Sequence, residues 1–294
     1  MNYCGIKLLC FSLVVILFGC ERSLYDSEFH SLRHDGKRRT YLLHIPPQSD
    51  GDTPLPLVIA LHGGVGSAKN IEEQSGLAEF ADEEGFVLVS PDGFKRAWNA
   101  GWCCGKASEK DIDDVGFIDA LIDEVASEVP IDESRIYATG MSNGGFMCYR
   151  LACELSHRIA AIAPVAATMN YGPCAFENNV GIMHFHSYED SNVPHEGGVG
   201  DGISDHYNSP IDSVMSAWAG FSECGSDSLD QSIEGVDHWS WTSCNDSVEI
   251  HWYMTEDGGH SWPGGRVPYD KADEPSELLS ANELMWEFFQ RHSR

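Results

Sequence analysis

The stretch Gly140-Met141-Ser142-Asn143-Gly144-Gly145 constrains this chain more than any other. A short apolar run, Arg135-Ile136-Tyr137-Ala138-Thr139, precedes it and reads as a strand. Residues 146–153 follow and read as a helix. A Ser flanked by glycines, in a tight turn from strand to helix, fits an elbow that exposes a nucleophile. The glycines have a steric task. So sharp a turn brings backbone close on both sides of the Ser, where Cβ atoms would collide. The helix N-terminus behind it favours negative charge at the Ser oxygen. The bland alternative is an ordinary Gly-rich turn, so the rest of the chain has to supply partners.

Around the elbow, apolar runs of strand length alternate with segments of helical spacing. Residues 55–61, 86–90, 159–165, 181–186 and 248–254 read as buried strands, and 40–45 as an outer strand stopped by Pro46-Pro47. Helical spacing marks 70–84, 113–129, 210–218 and 276–291. Asp113-Asp114 opens the second of these as N-terminal charge and cap. The alternation predicts an α/β chain with a mostly parallel sheet and helices on both faces. In such sheets ligands bind beyond the carboxyl ends of the strands. Each Gly-rich or charged stretch after a strand is therefore a site candidate.

At 294 residues, 42% of them apolar, the chain holds enough material for one large core. Forty-six acidic against 18 basic residues give a formal charge of −28, which argues against nucleic acid or anionic membrane surfaces as partners. Residues 1–20 read as a signal peptide: Lys7 is the positive flank, and 8–18 is an apolar run too short to span a bilayer comfortably. The run ends in Leu17-Phe18-Gly19-Cys20, which resembles a bacterial lipoprotein cleavage box with Cys20 as the lipidated residue. Plain secretion is the alternative. Either way the expected location is extracellular or in the cell envelope, with membrane contact only through that anchor. Residues 21–38 read as a polar tether, and 39–294 as the catalytic domain. Of the ten cysteines, Cys4, Cys10 and Cys20 belong to the leader. An odd number remains, so pairing in an oxidising compartment leaves at least one thiol free.

A Ser nucleophile needs a base, an acid to orient it, and donors for an oxyanion. After the strand ending at His186 comes Ser187-Tyr188-Glu189-Asp190, with Asp190 and Glu189 as acid candidates. After the last strand comes Asp257-Gly258-Gly259-His260-Ser261-Trp262-Pro263, with His260 in a Gly-rich loop. The order Ser, acid, His is the one that strand–elbow–helix hydrolases use. His62-Gly63-Gly64 opens the loop after the second strand. There a backbone amide, that of Gly64, joins the amide of Asn143 to hold an oxyanion. His184 and His186 share a strand face and read as buried, hydrogen-bonded rings rather than half a metal site. No metal and no cofactor is called for. Trp98, Trp102 and Trp262 read equally as an aromatic wall for substrate and as packing.

Together these stretches resemble the secreted esterases of the polyhydroxybutyrate depolymerase-like type, akin to feruloyl and acetylxylan esterases. The matching segments are Leu61-His62-Gly63-Gly64, Trp98-Asn99-Ala100-Gly101-Trp102-Cys103-Cys104-Gly105, Asp113-Asp114-Val115-Gly116-Phe117-Ile118, Gly140 to Gly145, Asp190 with Val193-Pro194, and Gly258-Gly259-His260-Ser261-Trp262-Pro263-Gly264-Gly265. The resemblance implies an α/β-hydrolase fold with Ser142 as nucleophile, Asp190 as acid, His260 as base, and Trp262 near the substrate pocket. It implies an ester substrate, either a hydroxybutyrate-type oligoester or a feruloyl or acetyl ester of plant polysaccharide. It also pairs Cys224 with Cys244. Two further bridges among Cys103, Cys104, Cys153 and Cys174, of open connectivity, would leave Cys148 free. One departure stands out: His186-Ser187-Tyr188 occupies the place of a usual His-Gly-Thr. A catalytically silent surface-binding lipoprotein on the same fold is the alternative from another class.

Overall fold

The computed structural model describes residues 27–172, 174, 177–203 and 205–294. The segment expected to be a leader, Cys20 with it, and the first residues of the expected tether lie outside them. In chain order the strands are β1 (Glu28–His34), β2 (Lys37–His44), β3 (Leu55–Leu61), β4 (Val87–Pro91), β5 (Ile131–Met141), β6 (Ala161–Val165), β7 (Gly181–Ser187), β8 (Ser228–Asp230), β9 (Val236–Trp241) and β10 (Ile250–Thr255). The helices are α1 (Ala68–Ser75), α2 (Leu77–Glu84), α3 (Gly105–Glu109), α4 (Asp114–Glu128), α5 (Asn143–Glu154), α6 (Ile211–Phe221) and α7 (Ala281–Phe289). One sheet holds the strands in the order β1-β2-β4-β3-β5-β6-β7-β10-β9-β8. The centre, β4 to β10, is parallel, and antiparallel strands finish both edges.

The pleat sends alternate side chains to opposite faces. On β3, Leu57, Ile59 and Leu61 join one core with α4, α5 and α6, while Val58 and Ala60 join the other with α1, α2 and α7. Burial on both sides is why β3 reads as an unbroken apolar run. Asp113 caps α4 as expected, its carboxylate accepting from the Gly116 amide. The single helix expected over 70–84 is two. Gly76, at φ 69°, closes α1 and opens α2 at an angle that a left-handed residue permits.

Two expectations need correction. Residues 28–38 are not tether: β1 pairs with β2 along its whole length, through a turn at Asp35 (φ 47°) and Gly36 (φ 70°). Asp-Gly with two positive φ values is the favoured two-residue hairpin turn. The segment between Cys224 and Cys244, where no strand is expected, carries β8 and β9. Cys224 is bonded to Cys244, Cys153 to Cys174, and Cys103 to its neighbour Cys104, while Cys148 is free and buried. Among the described residues no helix is long and apolar enough to cross a membrane.

Candidate active site

β5 delivers Ser142 at the carboxyl end of the sheet, between its last residue and the first of α5. Ser142 sits at φ 53°, ψ −123°, a conformation that costs a non-glycine residue about 1–3 kcal/mol. The surroundings hold it there. Its amide donates to the Val165 carbonyl at 2.9 Å, and its carbonyl accepts from the Phe146 amide at 2.9 Å. Gly140 and Gly144 make the turn possible. A Cβ on Gly140 would lie 2.7 Å from the Leu61 carbonyl oxygen, and one on Gly144 would overlap that same oxygen. The elbow is thus pressed against the end of β3, where the His62-Gly63-Gly64 loop begins.

That loop is fixed by His62. Its Nδ1–H donates to the Gly63 carbonyl at 2.7 Å, so its Nε2 is the acceptor for the Gly93 amide at 2.9 Å. Burial first, then the Arg charges nearby, hold this ring below the ordinary imidazole range. The Gly64 amide has no acceptor among the described residues. The Asn143 amide opens α5 and has no intrahelical partner either. The Asn143 side chain does different work. Its Oδ1 accepts from the Trp98 amide at 2.7 Å, and its Nδ2 donates to the Trp98 carbonyl at 3.1 Å. The Trp98 indole in turn donates to the His62 carbonyl at 3.0 Å. Elbow, glycine loop and the Trp98–Cys104 segment are therefore one locked unit. The sequence carried no signal for these struts beyond the residue types themselves.

β7 and β10 are parallel neighbours, with Ser187 opposite Thr255, so the loops that follow them emerge side by side. Asp190 is buried in the first and His260 lies in the second. His260 Nδ1–H donates to Asp190 Oδ2 at 2.8 Å. Asp190 Oδ1 accepts from the Asn192 and Val193 amides at 2.9 and 2.8 Å. Burial pushes this carboxyl up, but the His260 ring, the His186 ring and the Val193 amide outweigh burial and hold it below the usual range. Glu189 points to solvent instead. The His260 backbone amide donates to Asp273 at 2.6 Å, a clamp that no sequence pattern announced. His260 Nε2 has no partner among the described residues, and Ser142 is not hydrogen-bonded to it in this structure. Such contacts are commonly loose before substrate binds and tighten with it.

The tryptophans separate. Trp262, expected near the substrate, is fully buried in the core beneath α1, α2 and α7, with its indole donating to Asn282 at 3.0 Å. It braces the His260 loop and presents no face to solvent. Trp98 is equally buried as a strut, so no three-membered aromatic wall forms. Trp102 is 67% exposed, its amide donating to the Asn170 carbonyl. Ile203, 80% exposed, overhangs Gly64 from the loop after β7. Among the described residues, the group of ligand-type side chains that stands together is Cys103, Cys104 and His206. Two of the three are spent on each other in a disulfide, which leaves too few donors for a cation.

A parallel sheet, a strained Ser elbow and an Asp–His pair on neighbouring strand ends define an α/β-hydrolase architecture. A family model described as "Esterase PHB depolymerase" matches residues 39–184. Feruloyl esterase B of Piromyces equi is 30% identical over 247 residues, 79% of this chain and 44% of that protein. Probable feruloyl esterase C of Aspergillus niger is 28% identical over 265 residues, 87% of this chain and 85% of that protein. The solved acetyl xylan esterase from Aspergillus awamori aligns with a TM-score of 0.60 over 90% of this chain and 99% of its own, at 13% identity. A thermostable esterase structure gives 0.61 over 92% and 64%, at 18% identity. At such identities the structural likeness is one of fold. The chain is thus similar, over much of its length, to esterases of the polyhydroxybutyrate depolymerase and feruloyl esterase kinds. It spans less than half the length of the Piromyces relative.

Proposed function

We propose that this protein hydrolyses carboxylic esters through an acyl-enzyme on Ser142. His260 takes the Ser142 proton as the oxygen attacks the ester carbonyl, and then passes it to the leaving alcohol. Water, deprotonated by the same ring, attacks the acyl-enzyme; the acid leaves and Ser142 regains its proton. Asp190 holds His260 in the tautomer with Nδ1–H and stabilises the imidazolium. The amides of Gly64 and Asn143 receive the oxyanion. None of these steps calls for a metal or cofactor. Feruloyl or acetyl esters of plant polysaccharide, and hydroxybutyrate oligoesters, are the substrate classes the relatives point to. Export to the cell surface or medium, with Cys20 as a lipid anchor, completes the proposal.

The observation that carries it is the 2.8 Å bond from His260 to Asp190 at the same sheet end as the strained Ser142. A hydrolysis panel of methyl ferulate, acetylated xylan, hydroxybutyrate oligomers and short nitrophenyl esters tests it, run with chelator present. Turnover of at least one class by the wild type, and none by Ser142→Ala, is expected. No hydrolysis of any class by folded wild type would overturn it.

A further inference from the structure

Behind the Asp190 carboxylate lies a row of buried rings that the chemistry above does not use. His184 and His186 are on β7, and Tyr149 reaches them from α5. His186 Nε2 is 2.8 Å from the Val193 carbonyl oxygen and 3.5 Å from Asp190 Oδ2. His186 Nδ1 is 3.2 Å from His184 Nε2, and His184 Nδ1 is 2.8 Å from the Tyr149 hydroxyl. A carbonyl oxygen can only accept, so His186 Nε2 carries the hydrogen. In a neutral ring its Nδ1 then accepts, which requires His184 Nε2 to donate. His184 Nδ1 is left to accept from the Tyr149 O–H. One carbonyl thus sets the direction of every bond in the row.

We propose that Tyr149, His184 and His186 form a fixed, uncharged hydrogen-bond chain whose last N–H steadies the Asp190 carboxylate, making His186 a positioning residue for the triad acid. The inference rests on the proposed role of Asp190. Both rings are buried, and burial is the leading cause that holds each below the ordinary imidazole range, which favours the neutral form. The charged or titratable groups facing His186 are His184 on its own strand, Asp190 and His195 from the loop after β7, and His260 from the loop after β10. Asp190 is then held from several sides: two amides donate to Oδ1 and His260 donates to Oδ2, while the His186 N–H, donated to the Val193 carbonyl, lies with its nitrogen 3.5 Å from Oδ2. Such a carboxylate cannot rotate away from His260 without leaving a buried donor unpaired.

The test has a spectroscopic and a kinetic arm, both on the full chain. Long-range proton–nitrogen spectra of histidine-labelled protein should show His184 and His186 as neutral Nε2–H tautomers from about pH 6 to about pH 8, spanning the ordinary imidazole value. An Nδ1–H or doubly protonated His186 in that range overturns the chain. His186→Leu should lower kcat about ten- to hundredfold with KM held within about twofold, the scale of a misplaced catalytic group. The acid limb of kcat/KM should move to higher pH, because the Asp190 carboxylate loses the N–H dipole that lies beside Oδ2. His186→Gln, which keeps an N–H for the Val193 carbonyl, should recover most of the loss. A folded His186→Leu protein with wild-type kcat and an unmoved limb overturns the positioning role. If that variant does not fold, the wild-type spectra decide alone. Failure of the triad reading is separate: there Asp190→Asn stays active, whereas failure of the chain leaves Asp190→Asn inactive and His186→Leu normal.

Discussion

At the scale of single residues the structure separates two adjacent acids. Asp190 is buried, bonded to His260 and to two amides, while Glu189 points to solvent. Asp190→Asn is therefore expected to lower kcat by about 10³–10⁴, the cost of a wrong tautomer in such triads, and Glu189→Gln to leave it within about twofold. Steady-state kinetics on the two variants check this, and the reverse order would reassign the acid. The placement of Ser142, Asp190 and His260 just beyond strand ends was legible from the sequence, because each follows an apolar run of strand length, and Gly flanks are demanded by the turn. Trp262 was not. An aromatic ring in a Gly-rich loop carries no mark of which way it faces, and here it faces the core. The Asn143 side chain and Asp273 were equally silent, because their partners are distant in sequence.

At the scale of elements, the elbow depends on how closely β5 and α5 approach β3. Gly144→Ala puts a methyl into the Leu61 carbonyl oxygen, and the helix start must shift to relieve it. Overpacking of this kind costs about 1–3 kcal/mol, and the same shift misplaces Ser142, so both melting temperature and turnover should fall. Gly172→Ala, where nothing lies within 4 Å of the added carbon, is the control that should change neither. The central parallel strands were readable because both their faces are buried. The edges were not: β1 is half exposed, β8 is exposed throughout, and neither shows the apolar run of a central strand. The Asp35-Gly36 turn was the available signal for β1, and a composition-based reading of a polar tether passed over it.

At the scale of the whole molecule, buried neutral histidines tie stability to pH. Burial is the leading cause that holds His62, His184, His186, His251 and His292 below the ordinary imidazole range, and pushes His238 down to about 4. A folded-state value below the unfolded one means that acid favours the unfolded chain. Their stabilising contribution is complete above the unfolded value of about 6.5 and is lost as pH falls through each folded value. Melting temperature should decline from about pH 6.5 downward, with net proton uptake on unfolding measurable by calorimetry in buffers of different ionisation enthalpy. The Cys224–Cys244 bridge closes a loop with a sequence separation of 20, and replacing both by Ser should cost roughly 3 kcal/mol on the chain-entropy account. Denaturant melts check it. Ester hydrolysis by this chain turns on one oxygen atom, the Ser142 Oγ. Intact-protein mass spectrometry after treatment with a serine-directed alkyl phosphonate is the direct measurement. A single adduct mapped to Ser142, appearing in step with loss of ester hydrolysis and absent from Ser142→Ala, is the result expected. An adduct elsewhere, or full hydrolysis by Ser142→Ala in a preparation free of other hydrolases, would contradict it.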